Sequence, residues 1–122
     1  RGFLTGVSNC RFAYDVNNDS VPATAGNGIT SYYPGPSFVD LLGVDGFNFG
    51  GQSWAQVFGP ALQTLKAAYP SKPLWILSTG SVDNQSKFIS DTVSGAKQYG
   101  ISGVIYFSYQ QFAAPASTIQ GL

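Results

Sequence analysis

The sequence predicts an α/β domain built on parallel strands. Three short apolar runs bounded by turn residues, at 41–47, 73–77 and 101–107, read as strands buried on both faces. Two longer segments between them carry apolar residues at helical spacing. Strands that alternate with helices are the mark of βαβ units, whose crossovers bring successive strands side by side in one direction. At 122 residues the chain, 1–122, is expected to form a single domain.

Composition narrows the function before any motif does. Apolar residues make up 43%, charged residues 10%, and the formal net charge is zero. That excludes a nucleic-acid binder, which needs a basic face, and a disordered chain. The sequence offers no apolar run of the roughly 18 residues a membrane helix needs, so no membrane partner is expected. Arg1-Gly2-Phe3-Leu4 does not read as a signal peptide, and any such segment is expected to lie upstream or to have been removed.

The chain contains no His, Met or Glu, and its carboxylates are Asp15, Asp19, Asp40, Asp45, Asp83 and Asp91. A Ser-His-Asp triad and a His-ligated zinc site are therefore excluded, and neither a metal nor a cofactor is expected. The Gly50-Gly51 turn lacks the Lys-Ser/Thr of a phosphate-binding loop. Cys10 has no second cysteine to pair with inside the chain; it reads as a buried small hydrophobe or as half of a bridge to another chain. Asn18-Asp19-Ser20 and Asn84-Gln85-Ser86 match the N-glycosylation triplet. Together with the low charge, these sites at Asn18 and Asn84 point to a secreted protein.

Element by element, Phe3, Leu4 and Val7 suggest the last turn of a helix. Residues 9–17 read as a strand with Cys10, Phe12, Tyr14 and Val16 on one face at period two. A long Asn-, Ser-, Gly- and Pro-rich loop follows over 17–36 and ends in the stiff Tyr32-Tyr33-Pro34-Gly35-Pro36. The second strand is expected over 41–47, and Gly50-Gly51 breaks it. Ser53 caps a short turn through Phe58, and Pro60 starts a helix with Leu62, Leu65 and Tyr69 on one face. Pro70-Ser71-Lys72-Pro73 leads into the central strand, 73–81, which closes on Ser78-Thr79-Gly80-Ser81. Asn84 is the expected N-cap of a helix carrying Phe88, Ile89, Thr92, Val93 and Ala96, and Gly100 ends it. Residues 101–107 form the last strand, and the tail from Ser108 reads as a final turn. The resulting order, β-loop-β-α-β-α-β, fits an open sheet or half of an eight-stranded barrel.

Three segments decide between these by resemblance. Tyr33-Pro34-Gly35, Val39-Asp40 and Gly43-Val44-Asp45-Gly46-Phe47-Asn48 resemble the signature around the sixth strand of glycoside hydrolase family 26, the β-mannanase-type (β/α)8 barrels of the large retaining-glycosidase clan. Lys72-Pro73 through Gly80-Ser81 is similar to the seventh-strand motif, Gly103-Val104-Ile105-Tyr106-Phe107 to the eighth strand, and residues 9–16 would be the fifth. The resemblance runs in order over nearly the whole chain.

It implies half of a TIM (β/α)8 barrel, strands five to eight, of a fold that takes about 250 residues when complete. It also implies relatives that hydrolyse β-linked polysaccharides and an oligo- or polysaccharide partner. In the family the acid/base Glu follows the fourth strand, and the nucleophile Glu stands where this chain has Ser78. The family's Tyr beside the nucleophile is Phe47 here. A retaining glycosidase needs two carboxyls about 5 Å apart, and Ser78 has no Glu or His to activate it. The expectation is therefore a secreted, glycoside-hydrolase-like chain that is catalytically inactive as it stands. Asp45 reads either as a cleft residue that polarises a sugar hydroxyl or as a structural residue bonded to backbone, while Asp40 and Asp83 read as caps or surface charges. Aromatic residues at strand ends offer flat faces to pyranose rings; with Asp45, the candidates are Tyr33, Phe47, Phe49, Trp54, Tyr106 and Tyr109. A lectin-like protein that kept such a cleft is the alternative. Half a barrel also exposes two strand edges and an apolar face, so the chain is expected to pair with an N-terminal half-barrel or with itself.

Overall fold

The structure, a computed structural model, describes residues 6, 8–115, 117 and 118. The helix turn expected at Phe3, Leu4 and Val7 lies outside them. Four strands, β1 (Ala13–Asn17), β2 (Leu41–Asn48), β3 (Leu74–Ser81) and β4 (Gly103–Tyr106), form one sheet in the order β1-β2-β3-β4. All three pairings are parallel. Helix α1 (Trp54–Ala68) joins β2 to β3, and α2 (Gln85–Tyr99) joins β3 to β4. The expected element order and parallel sheet are thus present.

The first strand is shorter than expected, 13–17 rather than 9–17, because only there does it pair with β2, from Ala13↔Leu41 to Asn17↔Asp45. Cys10 precedes the sheet and is exposed, so it is not the buried hydrophobe expected of it.

Helix α1 starts at Trp54, nearly two turns before Pro60. Ser53 and Gln56 build a reciprocal cap: Gln56 N–H donates to Ser53 Oγ at 3.3 Å and Ser53 N–H to Gln56 Oε1 at 2.8 Å. From there a buried stripe of Trp54, Val57, Phe58, Ala61, Leu62 and Leu65 runs straight past Pro60, which sits on the exposed side. An internal proline costs about 3 kcal/mol. Each fully buried Leu or Phe returns roughly 1.5–3 kcal/mol, so the stripe outweighs the break.

Helix α2 begins after Asn84, as the sequence suggests, but Asn84 caps by backbone shape alone: its φ is +45° and its side chain makes no capping bond. Gly100, at φ +64°, ends the helix. The buried stripe is Phe88, Ile89, Thr92 and Gly95, with Val93 and Ala96 only half-buried.

Both helices pack on the same face of the sheet. Gly46 has no room for a side chain because Phe58 and Val57 of α1 press against it, and Leu42, Val44, Leu74 and Ile76 complete that core. The Trp54 indole lies between the helices, 5.3 Å from the Phe58 ring and 5.8 Å from Tyr99, and is seated flat over Gly95.

Gly95→Ala is expected to destabilise the fold by about 1–3 kcal/mol through overpacking against Trp54, even though alanine is the better helix former by about 1 kcal/mol. Urea unfolding of the two proteins measures the sign directly.

Candidate functional site

Alternation along β2 separates the two faces of the sheet. Leu42, Val44 and Gly46 meet the helices; Gly43, Asp45 and Phe47 point to the other side, where no helix packs among the described residues. Register extends that open face to Asp15 on β1, opposite Gly43, and to Trp75 on β3, which pairs with Gly43 and covers Gly103 of β4. The pairing slips between Val44/Asp45 and Ile76/Ser78, so Leu77 is an extra residue and Ser78 comes to stand beside Asp45. Without the bulge Leu77 would hold that place. The open face ends in Ile105 and Phe107, 53% and 45% exposed.

At the C-terminal ends of the strands the open face carries an aromatic cluster. Phe47, Phe49, Phe107 and Phe112 surround Ser78 in a shallow cavity of about 190 Å³. The Phe47 ring lies 5.1 Å from Phe112, 6.0 Å from Phe49 and 6.3 Å from Phe107. Phe112 comes from a 3-10 turn, Gln110–Phe112, and packs on Gly80, where a side chain would collide with it. Phe49 is held out by a polar brace beneath its loop. Asn48 Nδ2 donates to Ser81 Oγ at 2.9 Å and to Asp83 Oδ1 at 2.6 Å, while Asn48 Oδ1 accepts from the Gly50 and Gln52 amides. The Gly51 amide donates to Asp83 Oδ2 at 2.9 Å; this bond, and then that from Asn48, holds the Asp83 carboxyl below its usual pKa.

Two carboxylates occupy the middle of the open face. Asp45 Oδ1 is buried and has no hydrogen-bond partner among the described residues. Burial pushes the Asp45 pKa up, opposed by the Ser78 backbone amide. Asp15 lies diagonally across, its carboxyl folded over Gly43 against Leu77. Burial first, and the Asp45 charge second, push Asp15 from 3.8 to about 6. Of the described cations, Lys72 binds the Pro36 and Val39 carbonyls, Lys66 the Tyr99 carbonyl, Lys87 pairs with Asp91, and Arg11 lies beside Leu41 and Trp75 at the N-terminal end of the strands.

The remaining candidates divide between the faces. Phe47, Phe49 and Ser78 share the aromatic cavity, and Tyr109 is exposed with its ring 6.3 Å from Phe107. Trp54 is instead 4% exposed in the helix-side core, because it opens α1 on the buried stripe. Tyr33 stacks on Tyr69 at 3.9 Å and meets Tyr14 edge-on, against the helix-side core. Tyr106 pairs with the fully buried Thr79 and packs on the same core, its hydroxyl pKa raised by burial. These three therefore do not line the cavity around Ser78. Asp40 accepts the Phe12 amide at 2.8 Å. Asn18 donates its amide nitrogen to the Val57 carbonyl at 2.8 Å, whereas Asn84 is exposed.

Sequence reasoning missed Asp15, Phe107 and Phe112. Asp15 was within reach, since it lies out of phase with Tyr14 and Val16 on the strand; nothing local marks Phe112, which is placed by the gap over Gly80. Among the described residues no helix is long and apolar enough to cross a membrane.

No family model matches the chain. It is similar to Endoglucanase H of Acetivibrio thermocellus, with 34% identity over 106 residues that cover 75% of this chain. The chain spans 11% of that relative's length. It thus has a relative among glycoside-hydrolase-like proteins.

A carboxyl whose folded pKa is raised favours the protonated folded state. Its contribution to stability is present below 3.8 and is lost as pH rises toward about 6. Asp15→Asn is accordingly expected to raise the melting temperature at pH 7.5 and to leave it nearly unchanged at pH 3.5, as followed by thermal circular dichroism.

Proposed function

We propose that this chain is one half, strands five to eight, of a glycoside hydrolase family 26-like barrel, and that its open sheet face forms a wall of a cleft for β-linked polysaccharide. The observation that carries the reading is the place of Ser78. It stands at the C-terminal half of β3 beside Asp45, under a rim of aromatic rings, on the face that a barrel would enclose. The singly wound order β1-β2-β3-β4, with both helices on one face, supports a barrel wall over a doubly wound sheet. The similarity to an endoglucanase supports a glycan as the ligand.

Hydrolysis is not part of the proposal. The resemblance puts a carboxylate nucleophile at Ser78, and a serine hydroxyl with no Glu or His in the chain lacks the base that would activate it. Asp45 neighbours Ser78 but does not replace the missing pair, because the retaining reaction needs both a nucleophile and an acid flanking the bond. What the site retains is binding: Phe47, Phe49 and Phe107, with Tyr109 alongside, present apolar faces to sugar rings. Secretion completes the reading, with a glycan at Asn84 rather than Asn18, whose amide nitrogen is already bonded.

Incubation with barley β-glucan and with β-mannan is expected to release no reducing ends above a protein-free blank. Titration with cellohexaose and mannohexaose is expected to show weak binding to at least one, reduced about tenfold or more by Phe107→Ala through loss of ring stacking. Reducing-sugar release by the purified chain contradicts the loss of chemistry. Absence of binding to both oligosaccharides contradicts the cleft.

A further inference from the structure

Four rings meet around Ser78, and three of them stand at strand ends. Phe47 lies at the end of β2, Phe49 just beyond it on the braced loop, and Phe107 just beyond β4. The fourth, Phe112, comes from the tail and sits among the others. Its ring is 5.1 Å from Phe47 and 5.9 Å from both Phe49 and Phe107, closer than Phe47 is to either of them. It lies on Gly80, where a Cβ would come within 3.0–3.1 Å of Phe112 Cδ1, Cβ and Cγ. Gly80 pairs with Phe47 and stands two residues beyond Ser78 on the same face. Phe112 therefore fills the place beside Ser78 in which a flat ring is held between aromatic walls.

Little holds it there. Among residues 108–115 Phe112 alone is buried. Its turn closes on two local bonds, from the Phe112 amide to the Tyr109 carbonyl and from the Ala113 amide to the Gln110 carbonyl, both 3.0 Å. Gln110 stands at φ +49°, in the left-handed region that disfavours any residue with a side chain. The ties to α2 are exposed: Gln85 Nε2 donates to the Gln111 carbonyl at 3.3 Å, and the Ser86 and Thr118 hydroxyls meet at 2.7 Å. Segments with few buried contacts and exposed hydrogen bonds are the first to open.

We propose that Phe112 is a displaceable plug, whose ring occupies the floor over Gly80 that a pyranose ring of a β-linked glycan takes when the 108–115 segment swings away. The proposal rests on the cleft reading above. Phenyl and pyranose rings both offer flat apolar faces to Phe47, Phe49 and Phe107, so they compete for one place. The apparent affinity is then the intrinsic affinity scaled by the fraction of molecules with the plug withdrawn. A plug seated in about nine molecules of ten, or more, lowers it about tenfold or more.

Isothermal titration of cellohexaose and mannohexaose into the wild-type chain and into Phe112→Ala tests this. The variant is expected to bind at least about tenfold more tightly. Were Phe112 a fixed wall of the cleft, its truncation would weaken binding instead, as expected of Phe107→Ala. Far-UV circular dichroism confirms that the variant is folded. Amide hydrogen exchange of the wild-type chain, followed by NMR with and without excess oligosaccharide, needs no substitution and decides the matter if the variant does not fold. The Phe112 and Ala113 amides should exchange faster in the bound chain, because withdrawal breaks their bonds to Tyr109 and Gln110. Equal or weaker binding by the folded variant, or slowed or unchanged exchange of these amides in the bound wild type, overturns the plug and leaves the functional reading standing. Absence of binding by both proteins overturns the functional reading, and the plug with it.

Discussion

A parallel sheet has apolar residues on both faces, and each face must be covered. Among the described residues the two crossover helices fold to one side and cover one face only. Everything distinctive in the structure follows from that asymmetry. The helix side is a closed core, in which Phe58, Leu62, Leu65 and Ile76 are fully buried. The other side keeps the composition of an interior while facing solvent: a tryptophan, a leucine, an isoleucine, a cluster of phenylalanines and two carboxyls with raised pKa values.

The chemistry available to that face is decided by a single slip in register. Leu77 bulges between Ile76 and Ser78, and the bulge puts a small hydroxyl, rather than a leucine, next to Asp45. Bulges re-aim side chains near sites, and this one leaves Ser78 at the floor of the aromatic cavity. A hydroxyl beside a carboxyl that is itself short of hydrogen bonds can hold a polar ligand atom. With neither Glu nor His in the chain, it has no partner for covalent attack. The Asn48–Ser81–Asp83 brace fixes the loops around the cavity from the helix side, so the rim is built on rigid strand ends.

Much of this was legible in the sequence, for physical reasons that differ by element. The strands at 41–47 and 73–81 are continuous apolar runs ended by turn residues, and a buried parallel strand has no other pattern to show. Gly100 announces the end of α2 because a left-handed cap favours glycine. Pro60 misled, because proline at a helix start is a local preference of modest size and the Trp54-to-Leu65 stripe is a larger, longer-range gain. Trp54 misled in the same way: its position just past a strand end suits a cleft, yet its spacing to Val57, Phe58 and Ala61 makes it a core residue, and Gly95 provides its seat. Tyr106 follows the parity of its strand onto the helix side, and Tyr33, in the loop before β2, is held there by its stacking on Tyr69. The cavity around Ser78 was only half legible. Phe47 and Phe49 lie on the predicted strand end, while Phe112 arrives from the tail through a contact that no local pattern encodes.

One face of this sheet has the make-up of an interior and is open to solvent among the described residues. Hydroxyl-radical footprinting with residue-level mass spectrometry, on the dilute chain at pH 7.5, tests it most directly. Rapid modification of Ile105, Phe107 and Phe49 is expected, with Phe58 and Ile76 on the helix face protected. Equal protection of the two sets would mean that the chain covers both faces itself and that neither is open.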